Sequence, residues 1–177
     1  MTISLAIDSA SSRTIVAIVD DGKVLFESFH EGAMDHGKAI TELVSRALRI
    51  SPVPDQVVVG MGPGPFTGLR VGITFAHTFA LARNIPVIGV CSLDAIVIDQ
   101  NEYTVAIDAR RKEIYWASYK SGERISGPSV NKPAEVEGFI LDQYPEMKKL
   151  VELSKSQNIS EPMYLRRPDA VPTAERT

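Results

Sequence analysis

Three sets of residues in this 177-residue chain have the types that could do chemistry: two aspartates with neighbouring serines, three histidines and one cysteine. Asp8 and Asp108 each close an apolar strand in the same triplet, Ala6-Ile7-Asp8 and Ala106-Ile107-Asp108. Asp8 is followed by Ser9, Ser11 and Ser12, so Asp8, Ser9, Ser11, Ser12 and Asp108 make a candidate, degenerate site for a nucleotide or Mg²⁺. Backbone that closes on a phosphate wants glycine, whereas side chains fill Ser9-Ala10-Ser11-Ser12 and Ala109-Arg110-Arg111. The plainer reading is that both acids cap turns at strand ends. A helical metal pair needs histidines at i and i+4, and no two of His30, His36 and His77 are so spaced. No metal site is expected, and these read as lone surface histidines. Cys91 lies among apolar neighbours with no base nearby in sequence and reads as a buried structural cysteine. No Ser/His/Asp or Cys/His set assembles from the spacing, so no catalytic residue is assigned.

The remaining candidate is the run Gly60-Met61-Gly62-Pro63-Gly64-Pro65-Phe66-Thr67-Gly68-Leu69-Arg70-Val71-Gly72, which holds five of the twelve glycines. It fails both phosphate-binding patterns. There is no Gly-Lys-Ser/Thr for a P-loop, and no Asp or Glu occurs between Asp55 and Asp94 to complete a dinucleotide fingerprint. A tight turn that sets the entry of a buried helix is the expected role. That helix, from about Thr67 to Ala82, is apolar on most sides, which implies burial on most sides. Gly68, Gly72, Ala76 and Ala80 recur every four residues, a small-residue stripe open to close approach by another backbone. A second helix places Ile40, Leu43, Val44, Ala47 and Leu48 on one face. A protein interface built from Ile40, Leu43, Val44, Thr67, Gly68, Gly72, Ile73, Ala76 and Ala80 is therefore expected, since exposed apolar patches mark interaction sites.

The elements that position these residues follow a repeating order. Ile3 to Ile7, Thr14 to Val19 and Val24 to Phe29 read as antiparallel strands, the last two joined at Asp20-Asp21-Gly22. The Ile40 helix follows, then a strand from Gln56 to Met61, the Thr67 helix, a strand from Val87 to Val90, and a helix from Ser92 to about Asp99. Thr104 to Asp108 starts the pattern again, with a strand from Glu113 to Tyr119 and a turn at Ser121-Gly122. In both copies the turn glycine lies fourteen residues after the aspartate. The second copy is cut down: helices are expected near 134–143 and 146–154, with no further strand, and a loose tail from about Arg166. The fold class is α/β, with duplicated β-β-β-α-β-α-β lobes at 1–100 and 101–177, mixed sheets and a truncated second lobe. Such duplication resembles the two-lobed actin/Hsp70/sugar-kinase (ASKHA) superfamily. That resemblance implies a nucleotide phosphate clamped between the two acidic turns.

Composition narrows the function classes. With 44% apolar and 23% charged residues the chain is ordinary for a globular protein. A net charge of −3 argues against a stand-alone nucleic-acid binder, so Arg110-Arg111-Lys112 and Arg166-Arg167 read as solvated faces. A single cysteine excludes an internal disulfide and fits a reducing compartment. With no signal-peptide pattern and no apolar run near the ~20 residues of a membrane span, a cytoplasmic protein without membrane contact is expected.

The run from Gly62 to Gly72 closely resembles the signature of the bacterial TsaB (YeaZ) family, with Pro65 where the family typically has serine. Ala106-Ile107-Asp108-Ala109-Arg110, Glu113-Ile114-Tyr115-Trp116-Ala117, Glu161-Pro162-Met163-Tyr164-Leu165-Arg166 and the opening Leu5-Ala6-Ile7-Asp8-Ser9-Ala10 agree with it. The resemblance implies an actin-like, non-catalytic partner in making threonylcarbamoyladenosine on tRNA, beside the anticodon. It implies a homodimer, a heterodimer with a homologous metal-bearing threonylcarbamoyltransferase, and a small ATPase that joins them. Contact with tRNA would come through the complex. No cofactor of its own is implied beyond a nucleotide at the subunit interface. The alternative is an actin-superfamily nucleotide-binding or ATP-hydrolysing protein using Asp8 and Asp108. A homodimeric interaction module unrelated to tRNA is a third reading.

Overall fold

The computed structural model describes residues 1–32, 35–51 and 53–166. Strands β1 (Ile3–Asp8), β2 (Arg13–Asp20) and β3 (Lys23–Glu31) form an antiparallel meander. Helix α1 (His36–Ile50) leads to β4 (Gln56–Gly60), and helix α2 (Phe66–Arg83) leads to β5 (Val87–Val90). The sheet order is β3-β2-β1-β4-β5, with β4 parallel to both β1 and β5. Crossing from β3 to β4 and from β4 to β5 requires connections long enough to span the sheet, and the two helices supply them.

The second sheet repeats that order one strand short. β6 (Glu102–Asp108), β7 (Ile114–Lys120), β8 (Glu123–Asn131) and β9 (Phe139–Ile140) run β8-β7-β6-β9, with β9 parallel to β6. The hairpin turns match as well. Asp21 and Gly22 have φ of 47° and 85°, and Ser121 and Gly122 have 51° and 78°, the two-positive pattern that suits the twist of a hairpin.

Three differences from the sequence expectation lie in and just before the second lobe. Leu93–Ala95 is a single 3-10 turn, where a helix to Asp99 was expected. The helix expected at 134–143 is also absent. There Pro133–Glu135 is a 3-10 turn and Phe139–Ile140 becomes a strand, because β6 offers an open edge whose backbone groups Thr104 and Val105 pair with it. The last helix is α3 (Met147–Leu153), and it packs on the first sheet. Met147, Leu150 and Val151 meet Ala6, Ile15, Ala17, Val19, Val58 and Val90. On the other face Leu5, Ile7, Val16, Ile18, Val57 and Val59 meet α1 and α2. With both faces covered, β1, β2 and β4 are near-continuous apolar runs rather than alternating ones.

Candidate functional site

Asp8 ends β1 completely buried. Its Oδ2 accepts a 2.6 Å hydrogen bond from Ser92 Oγ, and its Oδ1 accepts one of 3.0 Å from the Ala10 N–H. Burial pushes the carboxyl pKa up, and the two hydrogen bonds pull against it. A side chain at Gly60 would collide with this carboxylate, since a Cβ there would lie 1.9 Å from Oδ2. Asp108, its counterpart at the end of β6, is exposed and accepts a 2.7 Å bond from the Arg110 N–H. Both acids therefore cap their turns.

The serines are similarly engaged. Ser9 Oγ donates to the Gly68 carbonyl at 2.8 Å, and Ser11 Oγ accepts from the Arg13 N–H at 3.1 Å. Between the lobes lies a cleft of about 200 Å³ lined by Ser11, Ser12, Pro65, Asp108, Arg110 and Tyr144, among others. It unites three of the five candidates, Ser11, Ser12 and Asp108. Asp8 and Ser9 lie outside its lining.

Arg110, Arg111 and Lys112 form an exposed left-handed turn, with φ of 63°, 54° and 62°. Arg166 is not loose: it pairs with Glu113 and donates to the Arg110 carbonyl at 3.3 Å. Arg167 and the rest of the expected tail lie outside the described residues.

His30 and His77 are exposed, as expected, but His36 is buried. Its Nδ1 is 2.7 Å from Thr14 Oγ1. Burial holds its pKa below the ordinary value, and the His30 and Arg110 charges add to that against a weaker opposing effect of Asp35. A histidine opening a helix can turn inward onto the sheet, and here Gly68 leaves the room for it. Among the described residues no group of three or more His, Cys, Asp or Glu side chains could hold a metal ion. Cys91 is buried, and burial pushes its thiol up to about 12.

The two helices correct the expected interface. Ile40, Leu43, Val44, Ile73, Ala76 and Ala80 are buried in the core of their own chain, and Gly68 and Gly72 are buried with them. Only Thr67 of the expected set is exposed. The small-residue stripe seats the Asp8 turn: a Cβ at Gly72 would lie 2.2 Å from Ser9 Oγ. What faces outward is an apolar groove of about 450 Å³ between α1 and α2, lined by Gly37, Ile40, Arg70, Val71, Thr74, Phe75 and Thr78. Ile40 thus lines the groove floor while belonging to the core.

A family model described as "TsaD: tRNA N6-adenosine threonylcarbamoyltransferase" matches residues 30–171. The Escherichia coli tRNA threonylcarbamoyladenosine biosynthesis protein TsaB is 36% identical over 67% of this chain and 55% of its own length. The chain belongs to the TsaB (YeaZ) family. An uncharacterized Mycobacterium leprae protein is 39% identical, covering 97% of this chain and 57% of itself. An uncharacterized Mycobacterium tuberculosis protein is 40% identical, covering 96% of this chain and 94% of itself. The chain therefore spans little more than half the length of the M. leprae and E. coli proteins. The solved structure of YeaZ from Pseudomonas aeruginosa shares the fold, with a TM-score of 0.74 and 22% identity over 88% of this chain and 91% of that one.

The residues expected at an interface lie on the sides of α1 and α2 that face the chain's own core. Gly37, Arg70, Val71, Thr74, Phe75 and Thr78 were missed as lining residues. A signal was present: Arg70, Thr74, His77 and Thr78 are the polar members of α2 between Gly68 and Ala82, and they mark its outward side.

Proposed function

We propose that the chain is a non-catalytic scaffold subunit in the synthesis of threonylcarbamoyladenosine on tRNA. It docks a homologous, metal-bearing threonylcarbamoyltransferase through the outward face of α1 and α2, and it forms a homodimer through the same face. A small ATPase joins the complex, and tRNA is reached through the partner. The chain works in the cytoplasm; no described helix is long and apolar enough to cross a membrane.

The observation that carries this reading is the engagement of Asp8. The carboxylate at the place of a nucleotide-binding acid is fully buried, with one oxygen given to Ser92 and the other to Ala10. Meanwhile the groove beside Phe75 is open and apolar. Chemistry is left to the partner, and the chain supplies a rigid docking face. The test is complex formation with the purified transferase. Thr74→Trp fills the groove from an exposed position, so it should keep the fold and lose the complex. A complex that forms equally well with this variant contradicts the proposed face.

One observation favours a second reading. Ser11, Ser12, Asp108 and Arg110 share the cleft between the lobes, an arrangement that suits weak nucleotide binding or ATP hydrolysis. Micromolar Mg·ATP binding by calorimetry, lost in Asp108→Asn, would support it.

A further inference from the structure

We infer that residues 157–166 form a releasable clasp across the hinge between the lobes. Seated, it fixes the interlobe angle and so the width of the cleft; released, it lets the second lobe swing. The chain crosses between the lobes at 91–101 and again at 141–146. Two covalent crossings allow rotation about the line that joins them, and a third tie removes that freedom. The clasp supplies the third tie, and it contains the segment from Glu161 to Arg166.

The clasp holds the first lobe through three hydrogen bonds. Gln157 Oε1 accepts from the Cys91 N–H at 3.0 Å. The Ile159 N–H donates to the Gly89 carbonyl at 2.9 Å, and the Met163 N–H to the Met61 carbonyl at 2.8 Å. A Cβ at Gly89 would lie 2.1 Å from the Ile159 carbonyl oxygen, so the bare backbone of β5 lets the clasp seat. On the second lobe the hold is Arg166, which pairs with Glu113 and donates to the Arg110 carbonyl. Arg110 itself lines the cleft.

A node at Asp94 joins the clasp to both lobes. Asp94 lies in the turn after β5 with its side chain 8% exposed. Its Oδ2 accepts from Gln157 Nε2 at 2.8 Å, and its Oδ1 accepts from the Tyr119 hydroxyl of β7 at 2.9 Å. Arg124 of β8 pairs with Oδ1 at 3.4 Å. Losing Gln157 therefore detaches the clasp and leaves the node's bonds to the second sheet in place.

The clasp is built to leave. None of residues 157–166 is buried, and no helix or strand forms there. Ile159, Met163 and Leu165 are only partly buried where they meet the cores. A segment with so little buried apolar surface opens at a fraction of the global cost, so it can come away while both sheets stay folded. Because the seat includes Arg110, the coupling is reciprocal: whatever widens the cleft loosens the clasp, and loosening the clasp frees the cleft.

The clasp acts within one chain, whatever its partners. Spin labels on Lys23→Cys and Glu123→Cys, exposed positions in the two lobes, report the interlobe distance, Cys91 being buried. The chain with a native clasp should give one narrow distance distribution. Adding Gln157→Ala and Arg166→Ala should broaden it or add a second population. Amide exchange at Ile159 and Met163 should speed up about tenfold or more, while the β4 amides keep their native rate. Arg166→Ala alone should move the same readouts in the same direction by a smaller factor.

A broad distribution with the native clasp overturns the inference. So does a narrow, unchanged distribution once Ile159 and Met163 exchange fast, since the segment is then a passenger. Should β4 exchange speed up equally in the double variant, Arg166→Ala decides: a broadened distribution upholds the clasp, and an unchanged one overturns it.

Discussion

Ser92 Oγ lies 2.6 Å from Asp8 Oδ2 and donates to it across 84 positions of sequence, tying the loop after β5 to the last residue of β1. Ser92 Oγ also accepts from the Gly62 N–H at 3.3 Å. One hydroxyl thus connects the glycine-rich segment, the buried acid and the crossover into the second lobe. Removing it in Ser92→Ala strips a buried carboxylate oxygen of its partner. We expect a loss of about 1–3 kcal/mol in urea denaturation, the cost of an unsatisfied buried group. A loss under about half a kcal/mol would show that the bond does not hold the turn.

The pH dependence follows from His36 and Asp8, with opposite signs. The pKa of His36 is held below its ordinary 6.5 by burial, so the unfolded chain takes up the proton first. Its contribution is present above about pH 6.5 and is lost as the pH falls through the folded pKa. The pKa of Asp8 is raised from 3.8. Its contribution is complete below 3.8 and is lost as the pH rises through the folded pKa. Stability measured from pH 8 down to about 4 should therefore fall less steeply on acidification in His36→Gln, and more steeply in Asp8→Asn, than in the native chain. An unchanged slope in His36→Gln would contradict the assignment.

Gly72→Leu and Thr74→Trp separate packing from docking. The first drives a side chain into Ser9 Oγ, 2.2 Å from where the Cβ would start. It should cost at least about 3 kcal/mol and lower the yield of folded protein. The second adds bulk at an exposed position and should leave the melting temperature within a few degrees of the native value. Equal destabilisation by both would contradict the side of α2 assigned to the core.

Cys91 should be inert. Its thiol, buried and pushed up to about 12, holds little thiolate at neutral pH. Iodoacetamide should label it far more slowly in the native chain than in urea. Rapid native labelling would mean that the junction between the lobes opens readily.

The first lobe was legible because its signals are local. Strand runs, the i, i+3, i+4 face of α1, the Asn84-Pro86 stop and the turn at Asp21-Gly22 each read directly from the chain. The repeat read across a hundred positions because both strand ends keep an Ala-Ile-Asp triplet. The misread parts depend on contacts distant in sequence. Phe139 and Ile140 form a strand because β6 stands beside them. Gly68 and Gly72 face inward because the Ser9 turn lies beneath them. His36 is buried because its ring meets Thr14, 22 residues earlier. Periodicity identifies an apolar stripe on α2, but it cannot tell a seat for the chain's own turn from a seat for a partner.

The most direct test of the scaffold account is threonylcarbamoyl incorporation into tRNA by the purified transferase, ATPase and donor-making enzyme, with and without this chain. The account predicts incorporation that requires the chain, a chain inactive alone, and loss of incorporation with Thr74→Trp. Incorporation indifferent to the chain, or produced by the chain without the transferase, would contradict it.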